Sequence, residues 1–243
     1  MTPLVLSDLE SARFGVRVAR WQPESPDARV DPTAFDVVIV RRPAQWSERW
    51  FELAGYDGYT AVHADSLIYW EWRVAPIPDP GTVIDLAPSD GDLAGLIGEV
   101  FADYQNHYRA NPLFDAGDAL DGYVEWAVAT ATRTGRYHVW NGADGAPAGV
   151  AVVDWAASVP DIRLAGMRPS AQGGGLYRHL LSGVMSRAAE AGHSSVLIST
   201  QVQNIAVQRV WAALGWKPCD AFDTTHLIRT ELLHAAVTAT PAG

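Results

Sequence analysis

The hydrophobic residues of this chain follow two periods, one typical of strands and one typical of helices. Short apolar, β-branched runs predict strands over 35–40, 66–73, 82–86, 137–140, 149–155, 161–167 and 195–200. Apolar residues at helical spacing predict helices over 46–54 and 119–132 and from Asp92, Leu176 and Asn204 onward. Strands outnumber the helices of a doubly wound fold, so the pattern favours an α/β chain with a mixed sheet flanked by helices.

A proline-rich stretch divides this pattern in two. Three prolines lie between Val74 and Gly81, where they disfavour both helix and strand. We therefore predict a small α/β domain over 1–80, a larger domain over 81–235 and a flexible tail over 236–243.

Composition and charge exclude several classes of function. The 243 residues are 48% hydrophobic and 19% charged, which is typical of a folded globular chain. Their net charge of −10 argues against binding to nucleic acid or to a membrane surface. The single cysteine, Cys219, excludes an internal disulfide and a cysteine-based zinc site, and no metal is expected. Neither a signal peptide nor an apolar run of ~18 residues is visible, so we expect a cytoplasmic protein.

A glycine-rich turn between a strand and a helix carries the clearest chemical signal. Residues 167–177 read MRPSAQGGGLY, and three glycines in a row allow successive N–H groups to point into one concavity. The helix that follows adds unpaired amides and a dipole, so the turn suits a pyrophosphate. A flexible surface turn is the alternative interpretation. A P-loop is excluded, because Leu176 and Tyr177 stand where it has Lys and Ser or Thr.

Two motifs in sequence order resemble the GNAT superfamily of N-acyltransferases. Met167-x-Pro169-x-x-Gln172-Gly-x-Gly175 is similar to its acyl-CoA pyrophosphate loop, which begins Gln/Arg-x-x-Gly-x-Gly/Ala. Further along, a strand is followed by Asn204-x-x-Val207-x-x-x-Trp211-x-x-x-Gly215-Trp216. At these positions the superfamily has an Asn, a small residue, an aromatic residue and a Gly-aromatic pair. The resemblance extends over 82–227 and implies a GNAT fold that uses acetyl-CoA.

The N-terminal part is similar to one branch of this superfamily, the TDP-fucosamine acetyltransferases. Residues 9–18 (LESARFGVRV) resemble the opening of that branch, and 106–114 (NHYRANPLF) resemble its Ser-Arg-Phe-His-x-Asp-Pro-x-Phe motif. Tyr123 and Trp126 match its Tyr-x-x-Trp. The resemblance implies acetyl transfer to the amine of a TDP-linked amino-deoxy sugar, by a GNAT domain that follows a truncated α/β domain.

The resemblance assigns residues to each ligand. Backbone near the end of a strand would bind pantetheine and the thioester oxygen, the glycine loop would bind the pyrophosphate, and the start of the last helix would meet the pantetheine arm. The cofactor residues are Ala165, Gly166, Met167, Gln172, Gly173, Gly174, Gly175, Leu176, Tyr177 and Asn204. The substrate residues are Arg13, Phe14, Arg17, Tyr108, Arg109 and Tyr123. For Arg13 and Arg17, an ordinary surface charge is the more common role of such residues.

Trp211 departs from the superfamily, which most often has a general-acid tyrosine at this position. An indole N–H donates a hydrogen bond but releases no proton near neutral pH. Three interpretations are open. Trp211 shapes the site while water protonates the thiolate, another acid acts from elsewhere, or acyl transfer has been lost.

The general base is open as well. His107, His138 and His226 are candidates because imidazole ionises near pH ~6.5, and Glu125 and Asp154 are two more. An amine that attacks unassisted, through a water relay, is a further possibility. His107 gains weight from its place in the motif that faces the sugar in the resembling branch. The catalytic candidates are therefore Trp211, His107 and Glu125.

Two other functions are open. The chain could acylate a different small amine, such as an amino acid or a natural-product intermediate, or it could bind acyl-CoA without catalysis. A homodimer is possible, and the sequence identifies neither the sugar nor the position of its amine.

Overall fold

The computed structural model describes residues 4–46, 53, 55–75, 77 and 83–239, which form two compact units. Unit 1 contains Met1–Leu67, Gln105–Ala119 and Asp220–Gly243, and unit 2 contains Ile68–Tyr104 and Leu120–Cys219. These units do not follow the predicted division at residue 80. The reason is that the last strand of the chain returns to pair with an N-terminal strand, and 105–119 packs with them.

Unit 1 is built on a mixed sheet. Its strands are β1 (Val5–Leu6), β2 (Val18–Trp21), β3 (Val37–Pro43), the first part of β4 (Tyr59–Arg73) and the end of β10 (Lys217–Arg229). β1 is antiparallel to β2, β2 is parallel to β3, and β10 is antiparallel to β3. Its helices are α1 (Asp8–Phe14), a 3₁₀ turn (His107–Ala110) and α6 (Thr230–Ala239). The predicted tail over 236–243 is therefore wrong for 236–239, which are helical; 240–243 lie outside the described residues.

Helix α1 has both a start and a stop signal. The Ser7 hydroxyl accepts a hydrogen bond from the Glu10 N–H at 3.4 Å, which satisfies one of the unpaired amides of the first turn. Gly15 ends the helix in the left-handed conformation, with φ of 66°. The helix carries Glu10 and Phe14 into the interior of unit 1.

Unit 2 has a larger mixed sheet with helices against it. Its strands are the end of β4, β5 (Val83–Leu86), β6 (Tyr137–Asn141), β7 (Pro147–Asp154), β8 (Asp161–Met167) and β9 (Ser195–Gln201), in the order β4-β9-β8-β7-β6-β5. Pairs are antiparallel from β5 to β8, and β8 is parallel to β9. Its helices are α2 (Leu93–Val100), most of α3 (Ala116–Thr134), α4 (Tyr177–Glu190) and α5 (Ile205–Ala213).

Most elements of unit 2 were predicted, and β8 has the predicted bounds. The prediction missed β1, α1, β2, the first part of β4, β10 and α6, and the helix predicted over 46–54 lies mostly outside the described residues. None of the described helices is long and apolar enough to cross a membrane.

His138 connects β5 and β6 through hydrogen bonds in the interior of unit 2. Its Nε2 accepts from Trp155 Nε1 at 3.1 Å, and its Nδ1 lies 2.8 Å from Asp85 Oδ1. Because an indole only donates, Nε2 carries the lone pair and Nδ1–H donates to the carboxylate. Both nitrogens are committed to structure, so His138 is a poor candidate for the general base. One carboxylate oxygen of Asp154, Oδ2, is also engaged, accepting from Arg133 at 2.7 Å and Arg163 at 3.2 Å.

The change His138→Phe should lower the free energy of unfolding by about 1–3 kcal/mol, because the Trp155 N–H loses its acceptor. The hydrogen bond from His138 is the largest influence holding the pKa of Asp85 below its usual value. A lowered carboxyl pKa stabilises the fold above the unfolded pKa, and this contribution is lost as the pH falls. The difference in the free energy of unfolding between wild type and the His138→Phe variant should therefore become smaller below about pH 4.

Urea unfolding at pH 7 and at pH 3.5 measures this difference. His234→Phe, on the exposed face of α6, is the control and should change stability by no more than about 0.5 kcal/mol. Equal effects of the two substitutions would contradict the account.

Candidate functional site

The predicted glycine loop lies between β8 and α4. Gly173 and Gly175 have φ of 81° and 72°, a conformation that glycine adopts without strain. Apart from the adjoining loop residues, no atom of the described chain lies within 4 Å of the position where a side chain would begin at either glycine, so that side of the loop is open. The Gln172 amide Nε2 donates to the Met167 carbonyl at 3.1 Å and ties the loop to the end of β8.

Helix α4 begins without a cap. Leu176 precedes it and makes no side-chain capping bond, and its first turn contains no acidic residue. Within the described residues, the amides of Gly173, Gly174 and Gly175 have no hydrogen-bond acceptor. Free N–H groups beside the positive end of a helix dipole are the arrangement that anions prefer in proteins.

Arg178, the second residue of α4, lies beside the glycine loop and is a candidate site residue that the sequence analysis missed. It is exposed and has no carboxylate partner in the described part of the chain. A cation in the first helical turn is unfavourable beside the positive end of the dipole, and a bound anion would reverse this effect. An arginine in the first turn after a glycine loop was the available signal.

Strands β8 and β9 separate soon after they start. Their paired residues are Asp161↔Leu197 and Ile162↔Ile198, whereas β8 stays paired with β7 as far as Met167. Both strands are fully described, so the end of β8 has no ladder partner on β9. The backbone groups on that side, near Ala165 and Gly166, are left for an extended ligand.

Two predicted cofactor residues also have packing roles. A side chain at Gly166 would come within 2.5 Å of Val100, so glycine is needed where α2 packs on β8. The Met167 side chain is buried against Gly149, so only its backbone can contact a ligand.

Three side-chain hydrogen bonds involve the end of β9, the first residue of α4 and helix α5. Trp211 Nε1 donates to the Tyr177 hydroxyl at 3.2 Å, and the Tyr104 hydroxyl donates to Gln201 Oε1 at 2.5 Å. The Asn204 amide precedes α5 and donates to the Thr200 hydroxyl at 3.0 Å.

The surroundings of Trp211 do not fit its predicted catalytic role. Its side chain is 1% exposed, and its only polar atom is bonded to Tyr177, so it does not present a donor to a substrate. Burial raises the pKa of the Tyr177 phenol above its usual value, an effect that the Trp211 N–H opposes.

The other predicted residues of unit 2 lie on α3. Tyr123 packs in an aromatic cluster, with ring centroids 5.8 Å from Tyr104 and 6.4 Å from Phe101. Glu125 is exposed, on the side of the helix opposite Ala127 and Ala131, which are buried. On this face of α3, Glu125 is not among the side chains that bond to Trp211 or Tyr177.

In unit 1, Tyr108 belongs to a buried network rather than to an open surface. Its hydroxyl donates to Glu10 Oε1 at 2.5 Å and accepts from Arg20 Nη2 at 2.8 Å, and Arg20 Nε donates to Glu10 Oε2 at 2.8 Å. Burial raises the pKa of Glu10, but the bonds from Arg20 and Tyr108 outweigh it and leave that pKa below its usual value. Phe14 is stacked on Phe114 with centroids 4.0 Å apart, so it is a core residue.

The three arginines predicted to bind substrate belong to different elements of unit 1. Arg13 is half-buried in the last turn of α1, Arg109 is exposed on the 3₁₀ turn, and Arg17 is exposed with its guanidinium 5.6 Å from the Phe35 ring centre.

His107 and His226 form a buried chain with Asn111. The Leu113 N–H donates to Asn111 Oδ1 at 3.0 Å, so the Asn111 NH₂ group faces His226 Nδ1 at 3.2 Å and must donate to it. His226 is therefore protonated on Nε2, which donates to His107 Nδ1 at 3.0 Å. His107 keeps its proton on Nε2.

This chain of donors weakens the prediction that His107 or His226 is the general base. The one unprotonated nitrogen of each ring already accepts a hydrogen bond. Burial lowers the pKa of His226 to about 3 and the pKa of His107 well below its usual value. Both rings are neutral at physiological pH, and the contact between them was visible only in the fold.

Nuclear magnetic resonance titration of the imidazole signals tests this chain. We expect His107 and His226 to stay neutral, as Nε2–H tautomers, above about pH 5. Asn111→Asp replaces the donor facing His226 with an acceptor and should raise the pKa of His226 strongly. Asn106→Asp adds the same charge nearby but leaves the Asn111 donor in place, so it should shift that pKa much less. A wild-type His226 that ionises near pH ~6.5 would contradict the assignment.

Solved structures with a similar fold include several N-acetyltransferases. A GCN5-related N-acetyltransferase from Sphaerobacter thermophilus is 16% identical with a TM-score of 0.54, and the match covers 79% of this chain and 61% of that one. This chain thus spans less than two thirds of that protein. A tandem GNAT protein from the clavulanic acid biosynthesis pathway is 12% identical with a TM-score of 0.54, covering 87% and 77%.

A third structure is a GCN5-related glucosamine N-acetyltransferase region in a fungal multi-domain GH3 β-N-acetylglucosaminidase. It is 11% identical with a TM-score of 0.58, and the match covers 93% of this chain and 31% of that one. No family model and no curated protein matches the sequence. At these identities the likeness concerns the fold, and this chain has the mixed α/β fold of GNAT N-acetyltransferases.

Proposed function

We propose that the chain is an N-acyltransferase that uses acetyl-CoA. The observation that carries the proposal is the separation of β8 from β9 directly before an open glycine loop and an uncapped helix. This arrangement offers an extended slot with free backbone groups, followed by a cradle of amides for a pyrophosphate. Acyl-CoA has a matching pair of groups in the same order, an extended pantetheine arm and then a pyrophosphate.

Each part of the site has a role in this proposal. Backbone amides near Ala165, Gly166 and Met167 bind pantetheine and donate to the thioester oxygen as negative charge develops on it. The loop from Gln172 to Tyr177 binds the pyrophosphate, with Arg178 adding a cation. Asn204 binds the pantetheine arm. Acetyl-CoA supplies the acyl group, and the rate enhancement comes from position and oxyanion stabilisation.

The proposed acceptor is the amine of a nucleotide-linked amino-deoxy sugar, as in the TDP-sugar branch. The N-terminal motifs support this choice, and the fungal region of similar fold is a glucosamine N-acetyltransferase. Arg13, Arg17 and Arg109 are the cations that would contact the sugar's pyrophosphate. Because the chain carries a net charge of −10, such local cations matter more than the overall field.

A different small amine is the second candidate, and one observation favours it. Phe14 and Tyr108, on which the likeness to the sugar branch depends, are buried in stacking and hydrogen bonds within unit 1. A tandem GNAT protein of similar fold comes from the clavulanic acid biosynthesis pathway. Binding of acyl-CoA without catalysis is the third possibility.

Calorimetry with CoA tests the cradle. Arg178→Glu should weaken binding about 10-fold or more, because it places an anion beside the bound phosphates at the helix start. Arg73→Glu makes the same charge change at the end of β4, next to Ser194, which precedes the start of β9, and should leave the affinity within about 3-fold. If wild type does not bind CoA, or if both variants weaken binding equally, the proposed site is wrong.

An assay of thiol release from acetyl-CoA then distinguishes the three functions. The acceptors are TDP-amino sugars, free amino sugars and amino acids. Turnover with nucleotide-linked sugars alone is the expected result. Turnover only with other amines favours the second candidate, and CoA binding without turnover favours the third.

A further inference from the structure

Acyl transfer from a thioester leaves a thiolate that needs a hydrogen-bond donor. Trp211, at the position where the resembling superfamily has a tyrosine, cannot supply a proton, and its N–H is turned toward Tyr177. A proton donor to the sulfur therefore has to be a different group of unit 2, one whose hydrogen is not already bonded to another group of the protein.

The contact between Trp211 and Tyr177 fixes how the phenol can bond. An indole N–H only donates, so the Tyr177 oxygen receives it on a lone pair. The hydroxyl hydrogen must then point elsewhere, and in the described part of the chain it has no acceptor. Tyr104 differs, because its hydroxyl hydrogen is bound to Gln201 Oε1.

The position of Tyr177 suits a donor to the sulfur. It is the first residue of α4 and directly follows the glycine loop. Its ring and Ala165, on the separated end of β8, pack against the same buried cluster, which contains Trp211 and Met167. The phenol is also bonded to Trp211 on α5, the helix whose start would meet the pantetheine arm.

On the basis of the proposed function, we propose that Tyr177 is the catalytic proton donor to the departing sulfur, and that Trp211 is a positioning residue that orients it. The amine nitrogen bonds to the thioester carbon, and the C–S bond breaks with its electron pair on sulfur. The Tyr177 hydroxyl gives its proton to that sulfur. The proton that the attacking amine loses passes through water to the tyrosinate, so the enzyme is restored.

The surroundings of Tyr177 keep its phenol protonated. Burial, and secondarily the neighbouring Tyr104, raise the pKa of Tyr177, so the phenol is protonated throughout the neutral range. The Trp211 N–H acts in the opposite direction and stabilises the oxygen as it becomes negative. Loss of that N–H should therefore move the ionisation of Tyr177 to higher pH.

The experiment compares CoA affinity with the rate of thiol release in wild type and variants. Tyr177→Phe should leave the dissociation constant of CoA within about 3-fold while the turnover number falls about 100-fold. Trp211→Phe keeps more activity, with a fall of about 10-fold, and shifts the alkaline limb of the pH–rate profile upward. The double variant should be no slower than Tyr177→Phe alone, because the two residues act as one unit. Tyr137→Phe removes another buried phenol of unit 2 and should change turnover less than about 3-fold.

The acceptor is the best amine of the panel, or water if acetyl-CoA is only hydrolysed. Incorporation of a fluorotyrosine at position 177 covers the case in which Tyr177→Phe does not fold, and it should move the alkaline limb to lower pH. A Tyr177→Phe variant with turnover near wild type, or with CoA affinity lost in parallel, overturns the assignment while the acyltransferase stands. A wild type without CoA binding or thiol release contradicts the proposed function itself.

Discussion

The separation of β8 from β9 is the constraint on which the rest of unit 2 depends. Beyond Ile162, one side of β8 has no ladder partner, and unpaired backbone groups cost about 1–3 kcal/mol each when buried without a hydrogen bond. Water or a ligand must therefore fill the gap. The strand keeps its place because β7 pairs with its other side, α2 packs on Gly166, and Gln172 binds the Met167 carbonyl.

Trp211 determines which donor is free in this part of unit 2, because its N–H bonds to the Tyr177 oxygen. It is buried and lies edge-on to Trp70, with centroids 6.0 Å apart, so the position serves the core. Its N–H in turn fixes a phenol on the neighbouring helix. A change that looks like the loss of a catalytic group is, in this account, a transfer of that role from α5 to the first residue of α4.

The sequence predicted those parts of the fold whose signal is local. The apolar period and the glycine turn locate β8, α4 and α5 closely. β10 was missed because its first four residues are exposed and show no apolar run, and because its partner β3 lies far away in the sequence. α1 was missed because only one of its faces is buried and it is a short helix.

The same limit applies to the candidate site. The glycine turn between a strand and a helix could be predicted, because three consecutive glycines interrupt both apolar periods. The state of His107 could not, because it is set by His226, 119 residues away, and by the orientation of one amide on Asn111. The pairing of Tyr177 with Trp211 depends likewise on how two helices pack.

The most direct test of the central claim is a titration of ¹⁵N-labelled protein with CoA, followed through its backbone amide signals. We expect saturable shifts of the amides of Gly173, Gly174 and Gly175 together with those of Ala165 and Gly166, while amides of β5 and β6 stay unchanged. Saturable binding that leaves both the glycine loop and the end of β8 unperturbed would contradict the account.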